Sequence, residues 1–452
     1  MGLQDRLLFI PGRQGIRWSF LLAFAGFYLL NCFAPLRLEY DSVHYFSLKE
    51  CLENVCPPGF RAAGDPHPMG YPILLWILAR LGVLHAFVIA AINAFFLAGS
   101  LFFVQKSFPS SLRSGVFFPL VLFQWTVIKF FAYPLSEMQY LFFSAGCIFC
   151  FQKYAGGRYA GGKYVEGKYA GGKRMVWLAA AVMAAGLAFF TRSAGGVLAP
   201  ALLAGSIWQH RQKLKANGVR NILLALAGIV CLVGVLYFSR ALRLDLYLNS
   251  FKDRNSGIVL MREHFSEWGQ LLLNVPGNKV TGLLPGWGKW LLVLAGILLA
   301  ALFLYALLIR RKEIPPVISV YLIAYSLLIF NWPFYDARFW IPVVPFVAML
   351  VPSLGKPGRG KMWEDGRQRE RGGKRVFRMG GILRVVLTVY VVMGLGAAGY
   401  STYTAFNKKA LARTQAGGIF RNEYETYFFG RPLSDTATRT DRYVLSILKR
   451  YN

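Results

Sequence analysis

The sequence predicts an all-α polytopic membrane protein of about eleven transmembrane helices. Three observations carry that reading. The 452-residue chain is 56% hydrophobic and only 16% charged, with a mean hydropathy of +0.43, whereas a soluble domain carries about a quarter charged residues. Its apolar runs repeatedly approach the roughly 20 residues needed to cross a bilayer. Its short basic runs fall on one side of those spans and its acid-bearing loops on the other, the pattern of positive-inside topology. The net charge of +30 therefore points to anionic membrane lipids at the cytoplasmic leaflet as partner, and not to nucleic acid.

Residues 1–17 form a basic cytoplasmic leader with Arg6, Arg13 and Arg17, and Trp18–Leu36 is the first span. The leader shows no cleavable signal: the apolar run has no small-residue cleavage site and merges into an acidic loop. That outer loop, 37–71, holds Glu39, Asp41, Glu50, Glu53 and Asp65 with His44 and His67, in a chain otherwise poor in acids. Within it, Ser42–Val55 has apolar residues at helical spacing and predicts an amphipathic helix on the membrane surface. Tyr71–Leu84 predicts a second interfacial helix or the start of a longer one, and His85–Val104 crosses inward.

Val116–Ala132 predicts an outward span interrupted by Lys129, Tyr133–Glu137 a tight corner, and Met138–Phe151 the return. The tyrosine- and glycine-rich repeat within 152–175 predicts a flexible cytoplasmic linker, because glycine pairs oppose a stable helix. Val176–Phe190, Ala194–Trp208 and Ile222–Phe238 are further spans. A second large outer loop, 239–289, contains another interfacial segment around Phe265–Trp268. Trp290–Ile309, Val317–Trp332 and Phe339–Val351 cross next, completing a transmembrane module over 18–352. A basic cytoplasmic loop, 353–380, precedes a last span at 381–403 and an outer tail, 404–452.

Of the six cysteines, Cys32, Cys147, Cys150 and Cys231 lie in apolar runs, where a thiol is ordinarily a small hydrophobe. Cys51 and Cys56 share the first outer loop, where a disulfide is open to them. No HExxH, phosphate-binding loop, dinucleotide fingerprint or zinc spacing occurs. No cofactor is expected with certainty, and a divalent cation near Asp41 stays open, with no ligand cluster visible in the spacing.

In this topology Asp41, His67, Glu137, Arg192, Asp336 and Arg338 converge on the outer boundary. Ionisable groups near membrane depth cost several kcal/mol unless they pair or line a cavity. Each also has a plain structural role open to it. Asp41 and Glu137 suit helix starts, His67 a turn, and the arginines lipid headgroups; Asp336 and Arg338 are close enough to pair with each other.

Tyr40-Asp41-Ser42-x-x-Tyr45 followed by His67-Pro68-x-Gly70-Tyr71-Pro72 resembles the opening of the GT-C glycosyltransferases. The closest branch is the dolichyl-phosphate-mannose protein mannosyltransferase-like and aminoarabinose transferase-like bacterial enzymes. Tyr133-Pro134-x-Ser136-Glu137, Phe190-Thr191-Arg192 and Asp336-x-Arg338-Phe339-x-x-Pro342-x-x-Pro345 extend the resemblance over roughly residues 18 to 350. Two features depart from it: many relatives carry adjacent acids where this chain has Asp41-Ser42, and the tail is short.

The resemblance implies a bacterial inner-membrane enzyme, with its active site on the outer face. It would move a sugar from a polyprenyl-phosphate donor to a protein, lipid or glycan acceptor. One carboxylate, Asp41, suffices as base for a hydroxyl acceptor, with inversion at the anomeric carbon. The phosphate leaving group needs cationic stabilisation, which Arg192 and Arg338 are suited to give by paired hydrogen bonds. His67, Tyr71, Glu137 and Asp336 are the expected substrate-binding residues. A transporter or flippase of a lipid-linked glycan is the alternative, but it predicts paired repeats with interrupted spans near mid-membrane, and no half-to-half symmetry is evident.

Overall fold

The structure, a computed structural model, describes residues 26–113, 116–156, 158–160, 163–165, 172–208, 257–355, 369–433 and 440–452. The leader 1–17, the predicted span Ile222–Phe238 and the first part of the second outer loop lie outside them. Four of the described helices are long and apolar enough to cross a membrane, spanning Ala86–Ser107, Arg174–Thr191, Gly288–Ile309 and Val385–Phe406. Shorter apolar helices at Gly70–Arg80, Ser193–Trp208 and Pro316–Phe330 accompany them.

Helix α1, residues 26–32, ends the first predicted span. After it come α2 (Tyr40–Leu52), α3 (Gly70–Arg80) and α4 (Ala86–Ser107). Two short helices, α5 (Phe117–Leu122) and α6 (Trp125–Phe130), precede α7 (Glu137–Tyr154) and α8 (Gly172–Thr191). Helix α9 (Ser193–Trp208) follows at once. The second half holds α10 (Gly257–Leu273), α11 (Gly277–Leu283), α12 (Gly288–Ile309), α13 (Pro316–Phe330) and α14 (Val344–Leu350). A 38-residue α15 (Arg369–Phe406) leads to the tail helices α16 (Lys408–Thr414), α17 (Arg421–Phe429) and α18 (Arg442–Tyr451).

Helix α7 packs against α4 and α8, and α10 against α12. The second pair meets backbone to backbone: a Cβ on Gly296 of α12 would collide with the Phe265 carbonyl of α10. Small residues permit such close approach where lipid gives helices no hydrophobic reason to associate. Aromatic side chains fill the space around it. Trp268 lies edge-on to Trp340, with centroids 5.1 Å apart, and Phe330 packs on the same Trp340 ring at 5.1 Å.

Four local expectations are corrected. The predicted span Val116–Ala132 is two six-residue helices, broken at Gln124. Asn274, at the end of α10, satisfies the freed backbone: its Oδ1 accepts from Trp125 N at 2.8 Å and its Nδ2 donates to Phe123 O at 2.8 Å. A chain can break at membrane depth only with such internal partners. Phe339–Val351 yields only the seven-residue α14, between 3-10 turns at Ala337–Trp340 and Val351–Gly355. Pro342, Pro345 and Pro352 explain this, since proline removes a helix donor and clashes with the preceding turn. In the repeat linker, Arg158–Ala160 pairs antiparallel with Lys163–Val165, so part of it forms a hairpin. Finally, α15 begins at Arg369, inside the predicted basic loop.

Helix α2, expected as a membrane-surface helix over Ser42–Val55, spans Tyr40–Leu52 and has one face packed into the protein. Phe46 and Lys49 are buried. The Phe46 ring stacks on Tyr451 of α18 at 5.0 Å, and Lys49 Nζ donates to Glu53 at 2.7 Å and to Tyr451 Oη at 2.9 Å. The approach to α2 is held by the tail as well. Tyr424 Oη accepts from Leu38 N at 3.0 Å and donates to Leu36 O at 2.7 Å, while Asn452 accepts from Leu36 N at 2.6 Å. Cys51, in the last turn of α2, is disulfide-bonded to Cys56 just beyond it.

Candidate functional site

The first turn of α2 carries Asp41, and the 3-10 turn after α13 carries Arg338. Their side chains meet, Arg338 Nη2 donating to Asp41 Oδ2 at 2.6 Å across 297 residues of sequence. Arg338 also reaches Asp336 (Nε to Oδ2, 3.1 Å) and Glu137 (Nε to Oε1, 3.7 Å). Glu137 opens α7 and pairs with Arg192, just past the end of α8, at 2.7 Å. The Phe339 ring lies under both guanidinium groups, at 5.2 Å from Arg192 and 5.1 Å from Arg338. Planar guanidinium groups stack on aromatic faces while leaving their edges free to bond.

The loop between α2 and α3 closes the cluster from the other side. His67 Nε2 is 3.6 Å from Asp41 Oδ1, and its Nδ1 bonds Asp65 Oδ1 at 2.7 Å. The His67 backbone N–H donates to the same oxygen at 2.8 Å, a local Asx turn that fixes the ring. His44, one helical turn beyond Asp41, bonds the other Asp65 oxygen at 2.5 Å. Gly70 brings this loop against α8, because a Cβ there would sit 2.6 Å from the Phe190 carbonyl. That contact places His67 and Arg192 at the same end of the molecule.

Electrostatics follow from the pairing. Burial pushes the Asp41 carboxyl up, but Arg338 and the His67 bond and charge outweigh it and hold the group well below the usual carboxylate range. Asp65 is lowered in the same way against burial, by its bonds from His44 and His67. Burial works against a charged His67, yet Asp41 and Asp65 on its two sides raise it to about 9. Arg338 is held charged despite burial by Asp41, Asp336 and Glu137.

Six of the seven residues singled out from the sequence, Asp41, His67, Glu137, Arg192, Asp336 and Arg338, thus belong to one connected ionic cluster. The seventh, Tyr71, is 1% exposed and lies behind it, its ring against Tyr45 at 5.2 Å. The plain roles turn out differently one by one. Asp41 spends its carboxylate on Arg338, and neither arginine needs a lipid headgroup as counter-ion. Asp336 does cap its own turn, accepting from Arg338 N at 3.0 Å, in addition to pairing with the side chain.

The sequence reading gave no role to Asp65, His44, Phe339 or Glu267. Asp65 and His44 were visible as loop residues, but nothing in their spacing shows that one carboxylate serves two imidazoles. Glu267 accepts from Trp340 Nε1 at 2.7 Å and bonds His264 Nδ1 at 2.8 Å. Burial pushes its carboxyl up, against the His264 and Trp340 bonds. Its Oε1 has no hydrogen-bond partner among the described residues.

Two cavities meet the 3-10 turn that carries Arg338, one at Asp336 and Ala337 and the other at Trp340. One of about 190 Å³ lies beside Asp336, lined also by Trp125, Lys129, Glu263, Glu267 and Lys289. The other, about 120 Å³, is apolar, with Trp268, Leu271, Trp340, Val344, Val347 and Leu387 in its wall. They share the α10 wall, which turns Glu267 toward the first and Trp268 toward the second.

Comparison with protein-family models, curated proteins and solved structures finds no match to this chain.

Proposed function

We propose that the chain is a GT-C-like membrane glycosyltransferase of about eleven spans, working at the outer face of a bacterial inner membrane on a polyprenyl-phosphate-linked sugar. The observation that carries the reading is the position of Arg338. It holds Asp41 at 2.6 Å, yet its Nη1 has no hydrogen-bond partner among the described residues. A buried guanidinium with a spare donor beside a part-exposed carboxylate suits an anion arriving next to a base. Arg192, on the same Phe339 ring, supplies a second positive group.

In the reaction, the acceptor oxygen attacks the anomeric carbon as Asp41 takes its proton. The bond from that carbon to the phosphate oxygen breaks, and its electron pair leaves with the phosphate. Arg338 and Arg192 receive the charge, which in a site sheltered from water is worth far more than in solution. The same event frees Asp41: a phosphate that engages Arg338 draws it from the carboxylate, so the base is released only when donor is in place. The attack comes from the face opposite the phosphate and inverts the centre. The polar cavity beside Asp336 offers space for polar substrate groups, and the apolar cavity two residues further along the turn offers a wall for the start of a prenyl chain.

Purified protein in liposomes, given radiolabelled polyprenyl-phosphate sugars and a panel of hydroxyl acceptors, tests this. Transfer by the unmodified chain, and its loss by about 10²–10⁴-fold in Asp41→Asn with unchanged expression, is the expected result. Full transfer in that variant removes Asp41 as the base. Movement of labelled lipid between leaflets without transfer makes the chain a flippase.

A further inference from the structure

We propose that His44, Asp65 and His67 form a binding site for one divalent transition-metal ion of the zinc class. The three offer one ligand atom each, all within 4.8 Å of one another. They come from two segments that the fold forces together: His44 from α2, and Asp65 and His67 from the loop that returns over it. The donor set is two imidazole nitrogens and one carboxylate oxygen. That set suits zinc and its neighbours, whereas magnesium and calcium prefer all-oxygen shells.

The burial pattern fits a metal centre open on one side. The Asp65 side chain is 2% exposed, while His44 and His67 are 24% and 19% exposed. A carboxylate at the base with two imidazoles at the rim leaves a fourth position for water or a substrate oxygen. The aromatic rings of Tyr40 and Phe60 pack on His44 at 4.8 and 5.9 Å, restricting its rotation. The Nδ1–oxygen separations of 2.5 and 2.7 Å are shorter than the about 3.3 Å between ligands bonded at about 2.0–2.1 Å to a tetrahedral ion. Binding therefore spreads the three groups slightly, a movement open to two rim imidazoles.

Beyond the ligands a second carboxylate stands close to His67, near where metal sites place one. A ligating histidine ordinarily gives its other ring N–H to a carboxylate. With the ion on Nδ1 of His67, the remaining ring proton sits on Nε2, which faces Asp41 at 3.6 Å. The ion would then fix the imidazole that flanks Asp41 and staple the loop to α2. The site stands on these residues alone; transferase activity plays no part in it.

Metal content decides it. The full chain, purified in detergent, stripped with a chelator and dialysed against zinc, is expected to retain one zinc per chain by elemental analysis. Cobalt(II) in its place is expected to give the visible ligand-field absorption of a low-coordinate nitrogen–oxygen site. Zinc is expected to raise the Tm of the stripped protein. His44→Ala and Asp65→Asn are expected to weaken cobalt binding at least about 100-fold, the upper end of what outer-shell losses cost, whereas His85→Ala, an exposed histidine elsewhere, leaves it unchanged. No stoichiometric zinc or cobalt on the unmodified chain, or equal binding by His44→Ala, overturns the proposal, and neither result bears on transferase activity. The cobalt spectrum and zinc-dependent Tm of the unmodified chain keep the test decisive if Asp65→Asn does not fold.

Discussion

Arg338 and Trp340 sit two residues apart on one 3-10 turn, yet they serve two different clusters. Arg338 faces Asp41, Glu137 and Asp336; Trp340 faces Glu267 and His264. In the second cluster His264 is fully committed, with Nδ1 on Glu267 at 2.8 Å and Nε2 on the Trp332 carbonyl at 2.9 Å, and its side chain is closed to solvent. In the first, Asp41 is 23% exposed and Arg338 keeps a spare donor. The lesson is that buried charge alone does not mark a working site. His264, with its bonds all spent, holds structure, while Arg338 beside a part-exposed carboxylate, and Glu267 with Oε1 unpartnered on the polar cavity, each keep a bond in reserve.

The sharpest break between the two is functional. Asp41→Asn keeps the side chain's volume and is expected to cost about 100- to 10,000-fold in transfer, far more than the modest Tm loss from breaking its pair with Arg338 accounts for, read by liposome assay and thermal shift together. A large Tm loss with proportional activity loss would make Asp41 structural like His264. Next comes Arg338→Ala, which removes the cation shared by Asp41, Asp336 and Glu137. Breaking a fully buried pair costs about 3–5 kcal/mol; with Asp41 23% and Asp336 38% exposed, water recovers part of that, and about 2–3 kcal/mol is expected from denaturant titration. Arg338→Lys is expected to restore most of that stability but not transfer, since lysine lacks the paired fork.

His264→Ala is expected to lower stability by about 2 kcal/mol, through the partners it leaves unmatched, while transfer per folded molecule stays near normal. A specific activity reduced 100-fold there would erase the distinction drawn between the clusters. The smallest effect belongs to Tyr424→Phe, which removes one hydroxyl from the Leu36–Leu38 segment at a cost of about 1 kcal/mol. It is expected to loosen the approach to α2, measured as faster amide exchange at Leu38.

Much of this was readable from the chain. Hydropathy and charge placement identify a membrane protein because lipid imposes length and composition directly on each span. The same sidedness argument selected Asp41, Glu137, Arg192 and Arg338, each at a helix end where a costly charge needs a reason. What stayed hidden depended on partners far away in sequence. The break at Gln124 is stable only because Asn274 reaches it, and no local pattern near Gln124 encodes that. The packing of α2 stayed hidden for the same reason: Phe46 and Lys49 are covered by Tyr451, which no local pattern announces. His44 and His67 are visible residues, but their shared bond to Asp65 is a product of how the loop folds back.

The tail's hold on α2 has a temporal side. Leu38 and Tyr424 are 386 residues apart, so at the usual 5–20 residues per second of synthesis about 20 to 80 seconds separate them. For that interval the helix bearing Asp41 waits with Phe46 and Lys49 uncovered. The ionic cluster around Asp41 therefore acquires its final surroundings only after the tail that covers α2 has been made.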